Sequence, residues 1–480
     1  VEAYPKITSF KTAADFRRHL QTLHLALDLD DAIEPAPDSP LAQPCELAGF
    51  TVGNRWSILP MEGWDCRPDG SPGELTERRW LRFAASGAKL LFGCEAAAVT
   101  ASGRSNTRQM MIAPDTWESL ARLRENMVKL HAGKFGSADD FYIGLQLTHS
   151  GRYSHPNDDH KLESITAYAH PLLDKRFGND ARNVVSDDDV KRIVDRFIAA
   201  AGLAKRAGFH FVDVKMAHGY LGHEFLSAWT RPGPYGGSFE NRTRFFREIV
   251  EGIRAAVPGI AVATRLSLFD FIPFVPGPDR VGVPMEIPGV AEAGRYPYAF
   301  GGDGTGLGYD LTETKAFLAL ARSLGIELIC TSAGSPYYVP HVQRPAYYPV
   351  SDGYLPPEDP VIGAARQIAA VGEVKAAFPD LKFIGSGYTC LQEYLTPVGQ
   401  HAVRTGKTDF VGIGRMVLAY PELCADTLAG RPLDVRSICR TFGDCTTAPR
   451  RGLVSGCYPL DPFYKGHPAC AELKRLKARK

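Results

Sequence analysis

Eight short apolar runs, each followed by a stretch of helical periodicity, set the tightest limit on what this chain can fold into. They are SILPM (57–61), AKLLFG (88–93), FYIGLQL (141–147), FVDVKMA (211–217), IAVATRLS (260–267), IELICTS (326–332), LKFIGS (381–386) and TDFVGIG (408–414). Helical patterns lie near 74–87, 115–132, 187–207, 240–256, 311–324, 363–378 and 390–405, with an eighth after 415. A continuous apolar run suits a parallel strand covered by crossover helices. Eight such units predict an α/β fold closed into a (β/α)8 TIM barrel rather than an open sheet.

The 480 residues of the chain exceed the ~250 of a plain barrel. Long insertions after strands 5 and 6, at 269–309 and 333–360, take up part of the surplus. Both follow strands and so belong to the face where such barrels carry their active sites. Residues 1–44 read as an N-terminal helical extension, 45–430 as the barrel and 431–480 as a C-terminal tail. In the extension, Phe16, Leu20, Leu23 and Leu27 share one face of a helix over 12–29, which the proline-rich 34–44 follows.

Composition excludes whole classes of function. The 55 basic residues balance 54 acidic ones, leaving a net charge of +1 and no global field for nucleic acid or an anionic membrane. No apolar run approaches the ~20 residues that span a bilayer. Ten cysteines are too few for a disulfide scaffold in a chain of this length. The start, VEAYPKITSF, lacks the apolar core of a secretory leader, so the cytoplasm is the expected compartment. GGDGTGLG (301–308) does not fit a dinucleotide loop in any register.

Polar residues at the C-terminal ends of barrel strands converge on one cavity. Here they include Glu62, Cys94, Glu95, Gln146, His149, Lys215, His218, Tyr220 and Arg265. Strands 7 and 8 end in Gly385 and Gly387, and in Gly414 and Arg415. Glycine there lets backbone N–H groups approach a phosphate, and an arginine adds a bidentate partner.

Two strings, GLQLTHSGR (144–152) and AHGYLGHEFLSAWTRPGPYGGSFENRTRF (217–245), resemble the old yellow enzyme family of flavin-dependent NAD(P)H oxidoreductases. The resemblance extends through GNRWSILPM (53–61), ATRLS (263–267), FIGSGY (383–388) and DFVGIGRMVLAYPEL (409–423), covering roughly 45–430 in the same order. It implies FMN across the barrel mouth, with its phosphate near Gly385, Gly387, Gly414 and Arg415. Gln146 resembles the glutamine bound to the flavin pyrimidine, and Arg265 the arginine beside flavin N1, where positive charge stabilises the anionic reduced ring. Pro60, Met61, Glu62 and Cys94 take positions lining the ring, and Tyr220 resembles the proton donor. The implied reaction uses NADH or NADPH to reduce an activated alkene, a small-molecule substrate held by Lys215 and His218. Hydride leaves flavin N5 for the β-carbon and Tyr220 protonates the α-carbon.

The sequence departs from the family in three places. Lys215 replaces one of two neutral donors that precede Gly-Tyr, with His218 as the second. Glu62 stands where Thr or Cys is frequent, and either acts on the flavin edge as a base or pairs with Lys215. Cys439, Cys445 and Cys457 resemble the iron–sulfur pattern of long relatives, but Phe442 replaces a ligand, and three thiolates do not complete a four-cysteine site. No metal is therefore expected. These departures keep two rivals open: a dehydrogenase or demethylase oxidising a small amine or alcohol, and a flavin-binding protein without alkene reduction. The substrate, the choice of nicotinamide and the oligomeric state, a homo-oligomer included, stay open.

Overall fold

The computed structural model describes residues 4–286, 295–351 and 353–478. Eight parallel strands form the barrel: β1 (Trp56–Ile58), β2 (Leu90–Leu91), β3 (Tyr142–Thr148), β4 (Phe211–Met216), β5 (Ala261–Ser267), β6 (Leu328–Ser332), β7 (Lys382–Gly385) and β8 (Phe410–Ile413). Each pairs with its neighbour in sequence, β8 pairs with β1, and β2 pairs with β3, so the sheet closes on itself. All eight apolar runs therefore supply barrel strands. A short additional strand, Ala96–Ala98, extends the pairing beside β3.

The helices between the strands follow from their own sequences. In Asp187–Arg206, Ser186 accepts the Asp189 N–H, Asp187, Asp188 and Asp189 fill the first turn, and Lys205 and Arg206 the last. Each charge sits at the helix end whose dipole favours it. Val190, Ile193, Val194, Phe197, Ala201 and Ala204 form the buried stripe, at the spacing that puts one helix face against the sheet.

A hairpin, Cys45–Leu47 with Phe50–Val52, closes the N-terminal end of the barrel. It packs against Leu90, Tyr142, Phe211, Leu328 and Phe410, which lie at or near the starts of their strands. The N-terminal helix runs only over Ala13–Thr22, with a capping box between Thr12 and Asp15. His24, at φ 54°, turns the chain out of the helix. Leu27 and Leu29 are buried from an extended segment, so the expected helix over 12–29 is shorter than its apolar pattern.

The insertion after β5 carries a hairpin, Phe274–Pro276 with Gly282–Pro284; its residues 287–294 lie outside the described residues. The insertion after β6 holds the short helix Pro340–Gln343. The tail returns to this face: Arg450 donates to the Pro336 carbonyl, and Thr441 Oγ1 and Thr447 Oγ1 accept the N–H groups of Tyr347 and Ser351. Among the described residues no helix is long and apolar enough to cross a membrane.

Candidate active site

Strand β4, Phe-Val-Asp-Val-Lys-Met, is buried at all six positions. Strand alternation turns Asp213 and Lys215 to one side, and a charged pair on a buried strand needs partners. Asp213 accepts from the Gln146 amide and, at 2.6 Å, from the Arg265 backbone N–H. Burial pushes its carboxyl up to about 7. Lys215 lies 3.3 Å from Glu62 Oε1, and its ammonium sits 3.7 Å from the centre of the Tyr220 ring.

Glu62 collects donors from four side chains. Tyr220 donates to both its oxygens at 3.0 and 3.1 Å, Trp64 Nε1 donates at 3.1 Å, and Ser105 Oγ at 2.9 Å, in addition to Lys215. The Tyr220 hydroxyl also lies 3.0 Å from the Tyr337 hydroxyl. Burial first, and then the Glu62 charge, hold the Tyr220 phenol well above its usual range.

After β4 the backbone turns through His218 at φ 70° and Gly219 at φ 77°. A Cβ on Gly219 would come within 2.9 Å of the Tyr338 ring, so glycine is required by close approach as well as by conformation. The turn aims His218 across the mouth, where Nε2 pairs with Ser332 Oγ at 2.8 Å. Burial, then the nearby Arg265 and Lys215 charges, push its pKa well below the usual value and keep the ring neutral.

Glu62, Trp64, Gln146, Lys215, His218, Tyr220, Arg265, Ser332 and Tyr337 line a cavity of about 260 Å³ at the C-terminal end of the barrel, with Asp213 and Ser105 behind them. Of the residues expected from the sequence, Pro60, Met61, Glu62, Gln146, Lys215, His218, Tyr220, Arg265, Gly387, Gly414 and Arg415 all line it. Two do not. Cys94 lies behind the wall, its carbonyl accepting the Met61 N–H at 3.0 Å, and Gly385 lies where a Cβ would press on the Tyr388 ring and hydroxyl at 3.0 Å.

Sequence reasoning does not reach Asp213, Ser105, Tyr337, Arg344 or the tail residues Thr446, Pro449 and Arg450, and it notes Cys445 only for an incomplete iron–sulfur pattern, not for this cavity. Asp213 carries a signal, its two-residue offset from Lys215 on an otherwise apolar strand. The others come from loops whose path no periodicity encodes. In the cavity wall, Arg79 pairs with both Asp65 and Glu95, so that buried acidic cluster already holds its cation.

The donor set suits FMN. Arg265 Nε is buried without a hydrogen-bond partner in the wall that Gln146 also lines. An N–H donor left without a partner in a cavity wall matches a polar ring edge better than an empty apolar slot. At another part of the wall, Gly387, left-handed at φ 92°, lies with Gly414 and Arg415, a set able to hold a phosphate by backbone and guanidinium together.

Residues 40–291 match the model of the NADH:flavin oxidoreductase / NADH oxidase family. A Geobacillus sp. NADPH dehydrogenase is 34% identical over 241 residues, which is 48% of this chain and 64% of that protein. The match thus spans less than two thirds of that relative's length. An NADPH dehydrogenase of Halalkalibacterium halodurans is 30% identical over 333 residues, 68% of this chain and 80% of that one. Among solved structures, 2-naphthoyl-CoA reductase in complex with 2-naphthoyl-CoA has a TM-score of 0.65 at 19% identity, covering 88% of this chain and 57% of its own. That likeness concerns the fold.

Proposed function

Because the chain belongs to the NADH:flavin oxidoreductase / NADH oxidase family, the old yellow enzyme family its motifs resemble, we propose that it is an FMN-dependent enzyme that uses NADH or NADPH to reduce an activated alkene. The observation that carries this reading is the convergence of Gln146, Arg265, His218 and Tyr220 with Gly387 and Arg415 on one cavity. Gln146, Arg265, Gly387, Gly414 and Arg415 would hold FMN, which when bound would supply the hydride-transfer chemistry between nicotinamide and substrate.

The residues divide the remaining work. Arg265 places its unpartnered donor and its charge against negative charge growing on the ring. Asp213 fixes Gln146 by accepting its amide N–H, so the opposite amide edge keeps one orientation. Neutral His218 can donate to a carbonyl oxygen without the desolvation cost of a cation. Tyr220, at the end of a hydrogen-bonded group, is the proton donor. Positioning and charge stabilisation supply most of the rate enhancement.

One observation favours a second reading. The Tyr220 proton points at Glu62, a carboxylate that would equally receive a proton during substrate oxidation. Anaerobic titration decides between them. In the first reading NADH or NADPH bleaches the bound flavin and 2-cyclohexenone restores its colour. In the second, a small amine or alcohol bleaches it and cyclohexenone does nothing.

A further inference from the structure

Tyr337 comes from the tyrosine- and proline-rich insertion after β6, and it stands in the wall between two cavities. One is the reaction cavity. The other, of about 340 Å³ and called the outer cavity for its exposed lining residues, shares Trp64, Pro336, Tyr337, Pro449 and Arg450 with the first. His155, Asp159 and His160 line only the outer one, and Asp159 and His160 are exposed. The outer cavity therefore reaches groups that exchange protons with solvent.

The Tyr337 ring is held rigidly. It stacks on Tyr153 with centroids 3.9 Å apart and planes 9° from parallel. Its hydroxyl lies 3.0 Å from that of Tyr220. Tyr220 already uses its own proton to hydrogen-bond Glu62, so its oxygen is left to accept. The ordered sequence is then Tyr337 O–H to Tyr220 oxygen, and Tyr220 O–H to Glu62.

We infer that Tyr337 is a proton relay that refills Tyr220 from the outer cavity. When Tyr220 protonates substrate, its O–H bond breaks and a C–H bond forms at the α-carbon. The electron pair for that bond comes from the double bond, whose β-carbon has received a hydride originating on the reduced nicotinamide. The Tyr337 proton moves onto Tyr220 oxygen as the first proton leaves, and Tyr337 recovers one from water in the outer cavity. One solvent proton is consumed for each hydride transferred. A relay is needed because a phenolate left beside the Glu62 carboxylate would put two like charges at hydrogen-bond distance in a buried site. Lys215 over the Tyr220 ring offsets part of that cost during transfer. Tyr337 acts through Tyr220, so it is a positioning residue and not the group that touches the reacting carbon.

This inference rests on the alkene-reduction reading for its turnover test and on geometry alone for a second test. Tyr337→Phe keeps the ring stacked on Tyr153 and removes only the hydroxyl. In the holoenzyme, stopped-flow reoxidation by 2-cyclohexenone should slow by about 10²-fold, the lower end of general-acid effects, and its solvent deuterium effect should rise. Flavin reduction by the nicotinamide should stay within about twofold of wild type, a change of under ~0.5 kcal/mol. Tyr337→Gln, which restores a hydrogen-bond donor but no transferable proton, should recover none of the loss. Separately, ¹³Cζ-tyrosine NMR of the holoenzyme should show the Tyr220 resonance displaced in Tyr337→Phe. An undisplaced resonance overturns the relay whatever the substrate. Unchanged reoxidation, or equal slowing of both half-reactions, overturns it as well. Failure of wild-type enzyme to be reoxidised by cyclohexenone tells instead against alkene reduction, and the NMR result still decides the hydrogen bond.

Discussion

Lys215 and Glu62 are each other's counterion: 3.3 Å separates Nζ from Oε1, and the two side chains are only 4% and 15% exposed. An ammonium that the sequence alone offers as a substrate anchor is thus already engaged. The pair still leaves both groups in the reaction cavity, so its balance sets the charge a ligand meets there.

That balance can be tipped. Glu62→Gln removes the counterion and leaves the lysine free to meet an anion. A charge-assisted hydrogen bond contributes about 1.5–3 kcal/mol, on the order of 10- to 100-fold in affinity. Titrating the oxidised holoenzyme with a phenol and a matched neutral ligand should show the Glu62→Gln variant gaining this preference for the phenolate. Lys215→Met should lose whatever preference the wild type has, and should also destabilise the fold, because removing one partner of a buried pair costs roughly 3–5 kcal/mol. Unchanged affinities in both variants would show that neither side chain meets the ligand.

Tyr220→Phe removes the phenol proposed as proton donor while keeping the ring under the Lys215 ammonium. Alkene-dependent reoxidation should fall by ~10²–10⁴-fold, with nicotinamide-dependent reduction nearly intact. Comparable losses in the two half-reactions would assign Tyr220 a structural role.

Flavin binding is expected to depend on Arg265, whose Nε is buried without a partner in the cavity wall. Purified protein should hold one non-covalent FMN per chain, released on denaturation. Cys66 and Cys94 are buried thiols whose pKa values burial pushes up, which makes them poor nucleophiles for a covalent link. Arg265→Met should weaken FMN binding or make the bound flavin harder to reduce, read from a spectroelectrochemical titration. Yellow colour that stays with acid-precipitated protein would refute the non-covalent assignment.

Asp213 gives the fold a pH dependence of unusual sign. Its carboxyl is raised to about 7 by burial, against ~3.9 in an unfolded chain. Between those values the folded protein binds a proton that the unfolded chain has released. This contribution is complete below about pH 4 and is lost as pH rises towards 7. The unfolding free energy of wild type minus that of Asp213→Asn should therefore decline over that interval in urea titrations. A difference that stays flat with pH would mean that Asp213 titrates like an exposed aspartate.

The tail predicts an absence. Phe442, which stands where a fourth thiolate would be needed, packs its ring 5.4 Å from that of Tyr348. Anaerobically purified protein should contain no stoichiometric iron or acid-labile sulfide. Finding both would show that three thiolates and some other group suffice.

The barrel is legible because each strand is a continuous apolar run, a signal that needs no knowledge of neighbours. The same rule places Gln146, Lys215, His218 and Arg265 at one end, since residues at strand ends share a location whatever lies between them. It cannot place Ser105 or Tyr337. Ser105 reaches Glu62 across 43 positions and Tyr337 reaches Tyr220 across 117, by way of loops without periodicity. The pairing of Lys215 with Glu62, 153 positions apart, is one of two alternatives in the sequence because charge alone does not fix distance. Cys94 and Gly385 mark the opposite limit: sitting at a strand end brings a residue to the mouth, but not its side to the cavity.

Cys445, Thr446, Pro449, Arg450 and Ser455 line the reaction cavity although none belongs to the eight repeated strand–helix units. They reach it on a segment tied to the loops by a few hydrogen bonds, such as Arg450 to Pro336 and Thr447 to Ser351. Substitutions in this segment are therefore expected to alter what the cavity accepts without touching a barrel strand. Selection or directed mutagenesis can rewrite this one segment while every strand pairing and the hydride-handling residues stay as they are, making it an exchangeable faceplate on a fixed catalytic chassis.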